Sequence, residues 1–138
     1  AAPYDLIISN PPYFSKSMLP GNKRRILARH NHPESLSPEI LAEGVSRMLV
    51  PNGIFALILP EDGATIFMEE ARSLQKPLYP HRLTRVFTRP GKPVVRLLTE
   101  TGNSEKIPVQ EDMTVYQNNG NQYSAQYVRL VKDFYLWA

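Results

Sequence analysis

Asn10, Pro11, Pro12 and Tyr13 follow directly on the apolar run Tyr4-Asp5-Leu6-Ile7-Ile8, and together they can activate a planar nitrogen. An aromatic amine or an amide nitrogen is a poor nucleophile because its lone pair is delocalised into the ring or carbonyl. Two acceptors aimed at its N–H hydrogens would draw it toward tetrahedral geometry and free the lone pair for an in-line methyl transfer. The side-chain oxygen of Asn10 can be one acceptor and the backbone carbonyl of Pro11 the other. Two consecutive prolines fix φ and bring no N–H of their own to compete for that carbonyl. Positioning and preorganised polarity then take the place of a strong base. Tyr13 offers a face on which an unpaired or flipped base can stack. The plainer reading is a proline-stiffened loop that ends a strand.

Charge is distributed in a way that suits a polyanion. The net charge of +3 is modest, but Lys16, Lys23, Arg24, Arg25 and Arg29 fall in a stretch without a single acid. Such segregation next to a candidate site matches a phosphate backbone. A second acid-free stretch holds Arg82, Arg85, Arg89, Lys92 and Arg96. There, on a strand face, a solvated surface is the favoured reading. Cysteine is absent, which excludes disulfides and thiolate metal sites and agrees with a cytoplasmic protein. The three histidines, His30, His32 and His81, have no carboxylates at metal-ligand spacing, so no metal is expected. No signal peptide or membrane span is visible, the longest apolar run being Ile54 to Leu59.

The elements that must position these residues can be read in order. Residues 4 to 8 form a short buried strand. Residues 14 to 36 are a long basic loop without periodicity, of the kind that is functional or disordered. Residues 15 to 25 offer little apolar surface to anchor it, which makes it a candidate for disorder in the free protein. Ser37 caps a helix, with Pro38 at its first position and Glu39 at the positive end of its dipole. Leu41, Val45, Met48 and Leu49 are its inward face, and Pro51-Asn52-Gly53 stops it. Ile54 to Leu59 is apolar without alternation, as in a parallel strand covered on both faces. A second helix is expected over residues 64 to 76, with Phe67, Ala71 and Leu74 inward. Strands at 81–88 and 93–99, joined by Arg89-Pro90-Gly91-Lys92, imply an antiparallel pair. Strand character returns at 107–110 and 114–116. After a turn at 118–121, Ser124 caps a last helix with Tyr127, Leu130, Val131 and Phe134 on one face.

Strand, helix, strand, helix and hairpin in this order make the C-terminal half of a Rossmann-like class I methyltransferase sheet, with helices on both faces and a terminal antiparallel hairpin. The first half of such a sheet carries a glycine-rich turn and an acidic residue on the ribose of S-adenosylmethionine. The seven glycines here include no G-x-G. The sequence is therefore expected to be the later part of one longer domain, with Asn10 at the rim of the cofactor pocket. In that arrangement the 138 residues alone bind S-adenosylmethionine weakly or not at all. The strand at 4–8 is left as an open edge through which the chain can self-associate.

The segment Asp5-Leu6-Ile7-Ile8-Ser9-Asn10-Pro11-Pro12-Tyr13-Phe14 resembles the amino-methylating enzymes whose signature is Asn-Pro-Pro-aromatic after a strand. With Arg25-Ile26-Leu27-Ala28-Arg29-His30, and with Tyr123-Ser124-Ala125-Gln126-Tyr127 and Asp133-Phe134-Tyr135-Leu136 near the end, it is similar to the bacterial tRNA1(Val) adenine-N6 methyltransferases. The resemblance covers essentially the whole chain except that family's N-terminal cofactor half. It implies S-adenosylmethionine as methyl donor and, as target, the adenine just 3′ of the anticodon. It also implies that Asn10, Pro11, Pro12 and Tyr13 engage the adenine and that Arg25 and Arg29 belong to the segment near the substrate, while charge and position add Lys23, Arg24 and His30 as candidate RNA contacts. Release-factor glutamine methyltransferases share Asn-Pro-Pro-Tyr but give no reason for the basic loop. An rRNA guanine methyltransferase and a non-catalytic RNA-binding module are the other readings.

Overall fold

The computed structural model describes residues 4–11 and 36–136. Five strands and three helices follow one another: β1 (Tyr4–Ser9), α1 (Pro38–Met48), β2 (Leu49–Leu59), α2 (Glu61–Arg72), β3 (Tyr79–Phe87), β4 (Val94–Gly102), β5 (Val109–Thr114) and α3 (Ala125–Val131). The strands form one open sheet in the order β1-β2-β4-β3-β5. β1 runs parallel to β2, β4 is antiparallel to both β2 and β3, and β5 is parallel to β3. Four strands therefore point the same way, and β4 alone is reversed.

Local chemistry accounts for the helices. The Ser37 hydroxyl accepts from the backbone N–H of Ile40 at 3.2 Å, Pro38 opens α1, and Glu39 and Arg47 complement its dipole. The helix then passes directly into β2. The helix ends at Met48, before the expected Pro51-Asn52-Gly53 stop, and Leu49 belongs to the strand; Asn52 takes a left-handed φ of 66° within β2, where its register against β1 shifts. Gly53 is needed here, because a Cβ would sit 2.7 Å from Leu49 Cδ1 and 2.9 Å from the Val50 carbonyl oxygen. α2 starts at Glu61 and ends at Arg72, earlier at both ends than the expected 64–76. The Pro60 turn leads straight into the first helical residue.

The core lies between one face of the sheet and the pair α1–α2. Phe55, Leu57 and Leu59 of β2 meet Ala42 and Val45 of α1 and Ala64, Phe67 and Ala71 of α2. The Phe55 and Phe67 rings pack tilted, 5.5 Å apart. The inward face of α1 differs from the expectation: Ala42, Val45 and Ser46 are buried and Met48 is exposed. Ser46 explains this, since its hydroxyl donates to the Lys76 carbonyl at 2.7 Å and clamps α1 to the α2–β3 connection. α3 sits on the opposite side of the sheet, beside β5, so helices flank both faces.

Two expectations need correction at the far edge. The hairpin is not terminal, because β5 is a single strand over 109–114 that adds outside β3. The apolar side of α3 is not core: the helix has no buried residue, and Phe134 just beyond it is exposed. At the other edge, β1 pairs only with β2 among the described residues, and its Leu6 and Ile8 are exposed, Ile8 by 73%. The strand expected at 4–8 is thus present as an edge, but it is largely exposed and not buried as its apolar residues suggested, because no second strand pairs with it among the described residues.

Candidate active site

β1 delivers Asn10 and Pro11 to the carboxyl end of the sheet. Its register with β2 pairs Ile8 with Ala56 and Ser9 with Leu57, so Asn10 and Pro11 run on beside Ile58, Leu59 and Pro60. Asn10 is exposed and Pro11 buried. At the same end of the sheet, α2 follows β2 and begins with Glu61 and Asp62, and Asp62 Oδ1 accepts from the Gly63 N–H at 2.9 Å. By sequence this second segment reads only as a turn. That it opens at the same end of the sheet as Asn10 follows from strand pairing, which no local signal reports. Ligands of open α/β sheets bind at this end, outside the carboxyl ends of the parallel strands.

Of the other residues singled out in the sequence, Pro12, Tyr13, Lys23, Arg24, Arg25, Arg29 and His30 lie outside the described residues. The second basic stretch is described, and it divides in two. Arg82 donates to Glu111 Oε2 from Nε at 3.2 Å and from Nη2 at 2.8 Å, with Glu100 3.6 Å away. Arg85 makes a forked pair with Asp112 at 2.8 and 2.9 Å. Hydrogen bonding to Glu111 and Asp112 and the neighbouring negative charge raise both guanidinium pKa values. These two arginines bridge β3 to β5 and are spoken for.

Arg89 is held differently. It donates to the carbonyls of Gln117 and Gly120 and to Asn121 Oδ1, and its guanidinium lies over the Tyr116 ring, 4.9 Å from the centroid. Tyr116 and Tyr123 stack at 5.0 Å, and Tyr127 follows Tyr123 at 5.1 Å. A hydrogen bond with Tyr116, helped by burial, holds the Tyr123 phenol above its usual range. Ser124 supports the column by accepting from the Tyr127 N–H at 3.0 Å and donating to the Thr114 carbonyl at 2.6 Å.

Two grooves mark the faces of the β3–β4–β5 region. One, of about 430 Å³, lies under α3 between Arg82, Glu111, Met113 and Leu130, and the other, of about 410 Å³, lies between Glu61, Arg85 and Asp112. Neither reaches Asn10. Their charged walls are largely the ion pairs just described.

A mixed sheet in this order, with one reversed strand and an exposed Asn10 at the carboxyl end of β1, defines a methyltransferase-type half-sheet. A crystal structure described as a predicted O-methyltransferase from Agrobacterium tumefaciens superposes on 94% of the chain and 51% of its own length, with a TM-score of 0.65 at 17% identity. No family model matches the chain. Curated relatives do: a tRNA1(Val) (adenine(37)-N6)-methyltransferase of Bacteroides fragilis is 39% identical, and one of Vibrio vulnificus 38% identical, each over 133 residues. Each alignment takes in 96% of this chain, and the chain spans about half the length of the curated relatives it matches, 54% and 53% respectively. The chain is homologous to that half of the tRNA1(Val) (adenine(37)-N6)-methyltransferases.

Proposed function

We propose that the protein carrying this chain transfers a methyl group from S-adenosylmethionine to the exocyclic N6 of an adenine in tRNA1(Val), and that this chain supplies the side of the site that holds the amine. The observation that supports this reading best is the exposed Asn10 at the carboxyl end of β1, in a chain so similar to enzymes of that name. The Asn10 amide oxygen accepts one amine hydrogen and the Pro11 carbonyl the other, which leaves the nitrogen lone pair directed at the incoming methyl group. Tyr13 stacks on the adenine, and Lys23, Arg24, Arg25, Arg29 and His30 hold the tRNA backbone. Such an enzyme works in the cytoplasm, where its substrate is.

S-adenosylmethionine, when bound, supplies the electrophilic methyl group. The residues present fit only the rim of its site. Asn10 faces outward where the nitrogen must meet the donor, but no G-x-G turn occurs in the sequence to cradle the rest.

The test is methyl transfer to an unmodified tRNA1(Val) transcript by the intact protein. Asn10→Ala is expected to lower turnover by about a hundredfold or more, the usual effect of removing one preorganised hydrogen-bonding group. Near-normal turnover in that variant would remove Asn10 from the mechanism. Methylation of a release-factor glutamine in place of the tRNA would overturn the substrate assignment.

A further inference from the structure

Arg89 and the tyrosine column form a second basic surface at the same end of the sheet as Asn10. Residues 86–99 and 113–132 together contain five basic and no acidic side chains. The fold brings these two segments into contact where β3 and β5 end, through the bonds from Arg89 to the 117–121 turn. Arg82 and Arg85, by contrast, are matched by carboxylates on β4 and β5. Arg89 is oriented by neutral carbonyls, an amide oxygen and a ring face, so its charge is positioned without being cancelled. Lys92 is exposed and pairs with no carboxylate among the described residues. Tyr116, Tyr123 and Tyr127 are only partly buried; the first two rings stack, and Tyr127 is tilted by 36° against Tyr123.

A cation layered on an aromatic column, beside an amide-rich turn, suits single-stranded nucleic acid. Bases continue an aromatic stack whatever their identity, and the cations track phosphates. A membrane or an acidic protein would match the charge but has no use for a ring stack with amide neighbours. The position is suitable as well. β1 and β5 are four strand spacings apart in the sheet, which at about 4.8 Å each puts this surface on the order of 15–20 Å from Asn10. At ~3.4 Å per stacked nucleotide, that is about five nucleotides.

We infer that Arg89, Lys92 and the Tyr116–Tyr123–Tyr127 column form a stacking platform for unpaired RNA several nucleotides from the methylated base. The inference rests on the tRNA reading above and extends it to a second binding surface for the same strand of RNA. The platform fixes the register of the RNA, so that the target base falls at Asn10.

The experiment measures binding of the intact protein to an unmodified tRNA transcript as a function of salt. Replacing both Arg89→Gln and Lys92→Gln is expected to weaken binding tenfold or more at moderate salt. It should also flatten the plot of log K against log salt by about 0.7 for each phosphate that is no longer neutralised. Tyr123→Leu is expected to weaken binding, and Tyr123→Phe, which keeps the ring, to retain it. The charge-neutral control Arg85→Gln with Asp112→Asn should leave the slope as in the unaltered protein. A slope unchanged in the Arg89/Lys92 variant would overturn the platform, and this result stands even if Tyr123→Leu fails to fold. The two readings also fail separately. Protein that binds the transcript through these residues but methylates no tRNA would sink the proposed reaction and leave the platform. Protein that methylates tRNA with both variants binding normally would sink the platform alone.

Discussion

At the scale of single residues, the contrast among the arginines is the most instructive. Arg82, Arg85 and Arg89 occur at a spacing that puts all three on or near one strand, and by composition they are equivalent. Their partners separate them: carboxylates for the first two, neutral carbonyls and a tyrosine ring for the third. A residue type therefore proposes an interaction, and its neighbours decide whether the charge is still available. Gly53 makes the same point for packing. The side chain of Leu49 and the Val50 carbonyl occupy the space of the missing Cβ, and the clash with the backbone oxygen cannot relax by a rotamer change. Gly53→Ala is expected to destabilise the fold by roughly 1–3 kcal/mol, the usual cost of overpacking. A shift in the denaturation midpoint would report it, and an unchanged midpoint would mean that the turn can open.

At the scale of elements, caps and breakers were legible and faces were less so. Ser37, Pro38 and Ser124 each do locally what their types imply. The inward face of α1 is turned toward Ala42 and Ser46 because small residues and a hydroxyl bond to Lys76 fit the close approach of α2. A pattern that counts only large apolar residues misses such a face. β1 carries the clearest consequence at this scale. It exposes Leu6 and Ile8 along an edge with one free side among the described residues. Unpaired strand edges recruit other strands, and charged side chains prevent this. The 138-residue chain is expected to self-associate at micromolar concentration, and Ile8→Lys to suppress the association. Sedimentation velocity distinguishes the cases, and a strictly monomeric unaltered chain would show the edge to be protected.

At the scale of the whole molecule, two basic regions lie in different parts of the sequence. Lys23, Arg24, Arg25 and Arg29 follow the Asn-Pro-Pro-Tyr motif, and Arg89 and Lys92 stand beyond the third strand of the sheet. If both regions hold one RNA, their contributions to log K add. Neutralising the first four is expected to reduce the salt slope by about 0.7–0.9 for each phosphate set free, over and above the effect of Arg89 and Lys92. Measured on the intact protein, an unchanged slope after removal of all four would assign them to solvated surface. No helix among the described residues is long and apolar enough to cross a membrane.

By itself the sequence determined the caps of α1 and α3, the apolar run of β2 and the antiparallel relation of β3 to β4. Each of these rests on interactions between residues close in the chain, where type and spacing are sufficient. The tertiary structure alone decided that β4 lies between β2 and β3, and that β5 adds as an outer strand. It also decided that α2 opens at the same end of the sheet as Asn10, and that Arg89 meets Tyr116 and the 117–121 turn. These depend on pairings between segments tens of residues apart. Many such pairings satisfy the same local pattern, and the choice among them is made by the burial of one shared core between the sheet and its two helices.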